Sequence, residues 1–302
     1  MFEVIFLGTG SMKPTPKRFT TSFVLRHEGE SFLFDAGEGV QVRLAKASLS
    51  PNKLSKIFIT HFHGDHFYGL PGLIFSMSHG ERKDKLTIYG PKKAREFIDK
   101  LLSAGYSTLK FPIEVVELKS GERIEGETYT VTAFAVEHGP PALGYKFEEK
   151  PTKNIDTKKM EEHGLRPNRK FRDLKDGKEI EINGIKMNPK DWLIDVSGDS
   201  LVYTGDTVPC SNTELAAKDA TVLIHESTYL HGEIQEDRGH STSREAAELA
   251  RKAGVKNLIL THFSPRYMNT SPLLDDAKTK FQNTYLSYDL FKFVIKKGEM
   301  MV

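Results

Sequence analysis

A single cysteine, Cys210, stands in 302 residues, which excludes an internal disulfide and fits a reducing, cytoplasmic compartment. No apolar run reaches the roughly 18 residues that a membrane span requires, so no membrane partner is expected. The opening "MFEVIFLGTG" has no basic flank ahead of its short apolar stretch and alternates like a strand, which argues against a secretory leader. Charge of one sign is scarce as well. The 43 Lys and Arg against 41 Asp and Glu leave a net charge of +2, too small to announce a nucleic-acid partner across the whole surface. Any such partner must be met by local charge. No segment repeats at a fixed period, so a solenoid is not expected.

What is present is an ordinary globular composition, 38% apolar and 28% charged. The length allows one large domain or two ordinary ones. In the first half, "FEVIFLG", "TTSFVLR", "SFLFDAG", "KIFIT" and "KLTIYG" are short β-branched or aromatic runs bounded by turn residues, and they predict strands. "GVQVRLAKA" after Gly37 and "PKKAREFIDKLLSAG" from Pro91 to Gly105 predict helices. "YTVTAFAVEH", "SLVYTGD", "ATVLIHES", "NLILTHF" and "LFKFVI" predict further strands. The best-signalled helix is "STSREAAELARKAG". Thr242 and Glu245 have capping-box spacing, Ala246, Ala247, Leu249, Ala250 and Ala253 form an apolar face, and Gly254 stands at its end. Strands outnumber helices and helices occur in both halves. That predicts an α/β fold of mixed sheets packed on each other, with helices outside.

Residues 57–73 read "IFITHFHGDHFYGLPGL" and place His61, His63, Asp65 and His66 within six residues. His61 and His63, at i and i+2, can converge from an extended turn onto one metal, while Asp65 and His66 face a second. Neutral imidazole and carboxylate suit zinc or manganese; a run of surface polar residues is the bland alternative. One loop cannot fill two coordination shells, so further ligands are expected at strand ends that face turns. His138 in "VEHGPP", Asp206 in "YTGDT" and His262 in "LTHFSPRY" fit. One set takes His61, His63 and His138, the other Asp65, His66 and His262. Asp206 bridges both, because a carboxylate can span two cations. Two metals held roughly 3.5–4 Å apart can clamp the attacking and leaving oxygens of an in-line displacement, the chemistry of phosphodiester hydrolysis.

The loop with the later His, Asp and His resembles the metallo-β-lactamase superfamily. That resemblance implies an αβ/βα sandwich of two mixed sheets with outer helices and the metals at one edge, but it names no substrate. "GTGSMKPTPKRFTTS", "FDAGEGVQ", "FYGLPGL", "HESTY", "GHSTSREAA" and "THFSPRY" follow one another along nearly the whole chain. In that order they resemble the ribonuclease Z family of tRNA 3′-processing endonucleases. The resemblance implies a single domain over residues 1–302, two Zn2+ per subunit with Mn2+ as the alternative, a homodimer, and precursor tRNA as substrate. It implies Asp65 as the general base acting on the attacking water, His240 as the proton donor to the leaving 3′ oxygen, and Glu226 as the group that holds His240. Arg266 resembles a phosphate-contacting arginine, and Lys17 and Arg18 lie in a loop that resembles one near the RNA 3′ end. From the residues alone, a surface ion pair for Arg266 and a solvated turn for Lys17 and Arg18 stay open. His27, His79, His163 and His225 carry no assignment.

From Lys150 to Ile180 ten Lys or Arg stand against six Asp or Glu. Few apolar residues accompany them, which predicts little core. The segment is either a solvated insertion or an arm that grips a polyanion. Within the ribonuclease Z resemblance, residues 150–195 take the place of a protruding, flexible, tRNA-binding arm. Lys158, Lys159, Arg166, Arg169, Lys170 and Arg172 are its expected grip. The Gly- and Pro-rich stretch usual there is reduced to Gly164 and Pro167, which puts the shape of the arm in question more than its role. A hydrolase of small thioesters or sulfate esters would share the histidine loop but has no use for the basic insertion. A non-catalytic RNA-binding subunit would tolerate a degenerate ligand set, yet all seven ligand positions are filled.

Overall fold

The computed structural model describes residues 1–106, 108–233 and 239–302. It divides into two compact units, residues 1–148 with 199–302 and residues 149–198.

In the larger unit the central strands carry continuous apolar runs, as in Val4–Leu7 and Leu201–Tyr203, because both faces of each sheet are covered. Phe2, Val4 and Phe6 join a core shared by the two sheets, while Leu7 of the same strand faces helices. Phe32 and Phe34 against Leu33, and Leu201 and Tyr203 against Val202, divide in the same way. Edge to edge, the first sheet runs Glu299–Met301, Lys292–Lys296, Phe2–Gly8, Ser22–His27, Glu30–Phe34, Leu54–Phe58, Leu86–Gly90 and Ile113–Glu117. The second runs Thr284–Leu286, Asn257–Thr261, Val222–Glu226, Ser200–Tyr203, Leu143–Glu149, Tyr129–Ala135 and Arg123–Glu125. Both are mixed. Helices Val40–Lys46, Leu70–His79 and Ala94–Leu102 cover the first sheet through Leu44, Leu73, Ile74, Met77 and Ile98. Helices Ser211–Ala217, Ser243–Ala253 and Ser271–Lys278 cover the second through Ala217, Ala246, Leu249, Ala250 and Leu273. The result is the expected sandwich of two sheets between two helical layers. Aromatic rings run across the first sheet, with Phe23–Phe34, Phe34–Phe58 and Phe58–Tyr89 stacked at 4.9, 5.0 and 5.0 Å.

Strand direction decides where chemistry can sit. Glu30–Phe34 and Leu54–Phe58 are parallel, as are Ser200–Tyr203, Val222–Glu226 and Asn257–Thr261. Their carboxyl ends therefore open on one edge, the usual place for a site between sheet and loops. Asp35, His61 to His66, Asp206, Glu226 and His262 all lie at or just past those ends.

Three details differ from the sequence expectation or complete it. The helix expected from Pro91 begins at Ala94, because Lys93 takes a left-handed φ of 74°. The last expected strand is followed by one more, Glu299–Met301, paired with Lys292–Lys296. The capping box of Thr242 and Glu245 forms, and Gly254 ends that helix at φ 70°.

The smaller unit pairs Thr152–Ile155 with Leu193–Val196 and Ile180–Ile182 with Ile185–Met187, both antiparallel. It has a core of its own, which corrects the expectation of little core. Ile155, Met160, Leu165, Phe171 and Leu174 from the charge-rich stretch pack with Ile182, Met187 and Trp192. The last three lie beyond that stretch, so its composition alone could not show the cluster. Lys158, Arg166, Arg169, Lys170 and Arg172 are exposed, whereas the Lys159 ammonium lies 4.9 Å from the centre of the Trp192 ring and donates to the Asp191 carbonyl. Among the described residues no helix is long and apolar enough to cross a membrane.

Candidate metal centre

Seven side chains converge at the carboxyl edge. His61, His63, His138 and Asp206 offer ligand atoms that lie within 4.8 Å of one another, and Asp65, His66 and His262 form a second such group. Asp206 also comes within reach of His240 and His262, so it stands between the two groups. Four zinc ligands at about 2.1 Å from the ion would be separated by roughly 3.3–3.4 Å, and several pairs here approach that spacing. His138 Nε2 is 3.1 Å from His63 Nδ1, and His66 Nε2 is 3.2 Å from His262 Nε2. Asp206 Oδ1 stands 3.3 Å from His66 Nε2 and 3.2 Å from His262 Nε2.

The outer nitrogens explain why the inner ones are available. His66 Nδ1 donates to Asp35 at 2.8 Å, and His138 Nδ1 to the Gly239 carbonyl at 2.9 Å. His61 and His262 use threonine relays. His61 Nδ1 donates to Thr60 Oγ1 (3.0 Å), whose proton goes to Asp35 (2.9 Å). His262 Nδ1 donates to Thr228 Oγ1 (2.8 Å), whose proton goes to Glu226 (2.6 Å). With Nδ1 protonated, each of these rings turns a bare Nε2 lone pair inward. Outer hydrogen bonds of this kind orient and strengthen metal-binding imidazoles. Among the described residues, His61 Nε2 and Asp206 Oδ1 are buried without a hydrogen-bond partner, a costly state for polar atoms that a cation would relieve. The donor set fits a divalent metal.

The buried carboxylates favour positive charge at the cluster, on a proton or on a metal ion. Burial opposes charge on His66, but Asp206, Asp35 and Asp65 overcome it and lift its pKa well above the usual imidazole range. Burial pushes His61 well down, with His66 adding to the effect. Burial alone would raise Asp65 and Asp206, yet His66 and His262 hold both far below ordinary carboxylates. Asp65 is also fixed by the Met12 amide, which donates to Oδ2 at 2.6 Å.

Backbone strain collects here. Asp35 and His262 adopt left-handed φ of 54° and 60°, a state that costs non-glycine residues of the order of 1–3 kcal/mol and persists where surrounding contacts enforce it. Gly205, just before Asp206, is also left-handed at 62°, and a Cβ on it would stand 2.7 Å from Thr60 Cβ. Only glycine lets Asp206 approach the histidine loop at this point.

Beside the cluster, His240 Nδ1 donates to Glu226 Oε1 at 2.8 Å. Glu226 is buried and also accepts from the amides of Thr207 and Thr228. The Arg266 guanidinium lies 5.0 Å from the centre of the Tyr229 ring and 3.4 Å from Glu233. Lys17 is exposed, whereas Arg18 is half-buried and its Nη2 donates to the Tyr267 carbonyl. That contact occupies part of a fork expected to meet phosphate.

The comparisons with known proteins agree with this geometry. Residues 2–172 match the family model described as Anti-Pycsar protein Apyc1, which places the chain among the sequences that model gathers. Residues 173–263 match the model described as Beta-lactamase superfamily domain. The first match ends before Asp206, His240 and His262, so it covers only part of the centre. Full-length relatives narrow the membership. Ribonuclease Z of Pyrococcus abyssi is 45% identical over 308 residues, covering 100% of this chain and 99% of the relative. Ribonuclease Z of Methanosarcina mazei is 40% identical, covering 98% of each. The chain belongs to the ribonuclease Z family. Among solved structures, the short form of human tRNase Z matches with a TM-score of 0.70 and 29% identity, over 97% of this chain and 99% of that one. A metallo-β-lactamase-fold protein from Bacillus subtilis, at TM-score 0.71 and 19% identity, shares the fold.

Within this ribonuclease Z framework, sequence reading passed over Asp35, Thr60, Tyr203 and Thr228. Asp35 was visible as a carboxylate ending an apolar strand in "FDAG", the same signal that drew attention to Asp206. Asp35→Ala would leave Thr60, His66 and Tyr203 without their shared acceptor. We expect metal affinity to fall about 10–100-fold, read by competition with a chromophoric chelator, while circular dichroism shows the sheets retained. Unchanged affinity would show that Asp35 does not orient His66.

Proposed function

We propose that this chain is an endonuclease that removes 3′ trailers from precursor tRNA by two-metal phosphodiester hydrolysis and leaves a 3′-hydroxyl on the tRNA. The observation that carries this reading is the convergence of seven ligands beside the His240–Glu226 pair, in a chain that matches ribonuclease Z along its whole length. His61, His63, His138 and Asp206 would hold one ion, and Asp65, His66, Asp206 and His262 the other. Zinc suits this N/O set, and manganese is the alternative. When bound, the two ions polarise the scissile phosphodiester and make water acidic enough to act at neutral pH.

The remaining steps belong to the chain itself. Asp65, anchored by the Met12 amide, orients the attacking water and takes its proton. His240 is protonated beside Glu226, which stabilises the imidazolium and aims its other nitrogen away from the carboxylate. It gives that proton to the 3′ oxygen as the phosphorus–oxygen bond breaks. Arg266, a planar fork, is the candidate for a substrate phosphate oxygen. Lys17 and Arg18 would lie near the RNA end.

The smaller unit, residues 149–198, which contains the expected arm of 150–195, would supply selectivity. The metals alone would cut any phosphodiester that reached them, so remote binding must position one bond. Structured RNA is read largely by shape and backbone, and the exposed Lys158, Arg166, Arg169, Lys170 and Arg172 on a small folded unit suit that role. The family resemblance further supports a homodimer, and the single buried Cys210 supports residence in the reducing cytoplasm; light scattering would measure the former.

The first test is cleavage of a 3′-extended precursor tRNA, with the cut mapped to one nucleotide. A cut after the last nucleotide of the tRNA body, leaving a 3′-hydroxyl and lost in Asp65→Ala, is expected; an intact RNA beside a hydrolysed small phosphodiester would overturn the reading. His240→Ala should slow RNA cleavage about 10²–10⁴-fold, yet hardly affect a p-nitrophenyl phosphodiester, whose leaving group needs no proton. Equal losses on both would remove His240 from the role of acid. Neutralising Lys158, Arg166, Arg169, Lys170 and Arg172 to Gln should raise KM for precursor tRNA and flatten its dependence on salt, by about 0.7–0.9 in logarithmic slope for each phosphate the arm no longer neutralises. An unchanged KM and slope would dismiss the arm.

A further inference from the structure

Two large apolar side chains are left exposed although they are fastened to the metal loop. Met12 is 69% exposed and Tyr68 is 59% exposed. Neither position is loose. The Met12 amide is the group that donates to Asp65, and its φ of 65° is left-handed, so the backbone is committed by that hydrogen bond. The Tyr68 amide donates to the Gly64 carbonyl, and the next amide, of Gly69, donates to the Ala36 carbonyl. The Tyr68 ring lies against Gly64, between His63 and Asp65. A Cβ on Gly64 would stand 2.5 Å from Tyr68 Cε2, so glycine is what lets the ring settle there.

A ring held rigidly, with most of its surface in water, at the rim of a site for an unpaired RNA end, presents what a nucleobase stacks on. Aromatic side chains bind single-stranded bases in this way without reading their identity. In-line displacement fixes the side. The attacking water and the leaving 3′ oxygen stand on opposite sides of phosphorus, and Asp65 is assigned to the water and His240 to the oxygen. The departing nucleoside lies on the His240 side, and the trailer is joined to phosphorus through an equatorial oxygen, so a ring seated on Gly64 next to Asp65 is assigned to the nucleotide that keeps the phosphate.

We infer that Tyr68 is a stacking platform for the base of the first trailer nucleotide, on the 3′ side of the cut. The inference rests on the endonuclease reading above. The platform tolerates any base and positions the scissile phosphate by holding the strand beyond it.

The test is a double-mutant cycle between the protein and the RNA. Precursor tRNAs carry a normal base or an abasic residue at the first trailer position, and a third RNA is abasic at the last nucleotide of the tRNA body. Tyr68→Ala should lower kcat/KM about tenfold on normal RNA, the scale of one base–aromatic stack. On RNA abasic at the first trailer position the same substitution should cost almost nothing, and Tyr68→Phe should behave as wild type on all three. An equal loss from Tyr68→Ala on every RNA would overturn the platform and leave a merely structural ring. Coupling confined to the nucleotide of the tRNA body would overturn the assignment of side. Wild-type protein that cuts none of the RNAs would instead remove the endonuclease reading, and this inference with it.

Discussion

A carboxylate can be buried only if its lone pairs are engaged, and Asp35 meets that condition in a way that organises the site. Its two oxygens accept from the Thr60 amide, the Thr60 hydroxyl, His66 Nδ1 and the Tyr203 hydroxyl. Those partners come from the start of the histidine loop, its far end, and the second sheet. One side chain thus ties a strand end, the metal loop and the opposite layer together. The left-handed backbone of Asp35 is the local cost, offset by four hydrogen bonds to a charged group that are each stronger than neutral ones.

Glu226 repeats this logic on the other side. Each carboxylate accepts a hydrogen bond from a threonine hydroxyl, and each threonine in turn accepts from a histidine of the cluster. The two relays fix which nitrogen of His61 and His262 faces inward. Tyr145 adds a further tie, donating from the second sheet to the Ile59 carbonyl at the mouth of the loop. Four of the five candidate imidazole ligands, His61, His66, His138 and His262, are therefore oriented by hydrogen bonds that need no ion.

How much of this was legible beforehand depended on whether the signal was local. The strands showed because both-face burial writes continuous apolar runs, and the helix Ser243–Ala253 showed because its cap, face and stop lie in one stretch. The seven converging side chains showed because histidine and aspartate are conspicuous just past such runs. Thr60, Thr228 and Tyr203 did not, since a hydroxyl becomes a relay only through tertiary placement. Asp35 was indistinguishable in sequence from a candidate ligand such as Asp206. The core of the smaller unit was hidden because Trp192 and Met187 lie outside the stretch whose charge drew attention. Arg18 was visible as a cation, while its bond to the Tyr267 carbonyl was not.

The strands Leu143–Glu149 and Ser200–Tyr203 are antiparallel neighbours with Glu148 opposite Ser200, so the whole smaller unit is spliced into what would otherwise be a hairpin turn. Closing a longer loop costs only about 0.6 kcal/mol for each doubling of its length, and this one carries its own core. A lineage could therefore lengthen, exchange or lose this unit with little effect on the register of the strands that hold Asp206. Under the arm reading proposed above, chemistry and choice of substrate would be inherited through separate pieces of one chain, free to diversify at different rates.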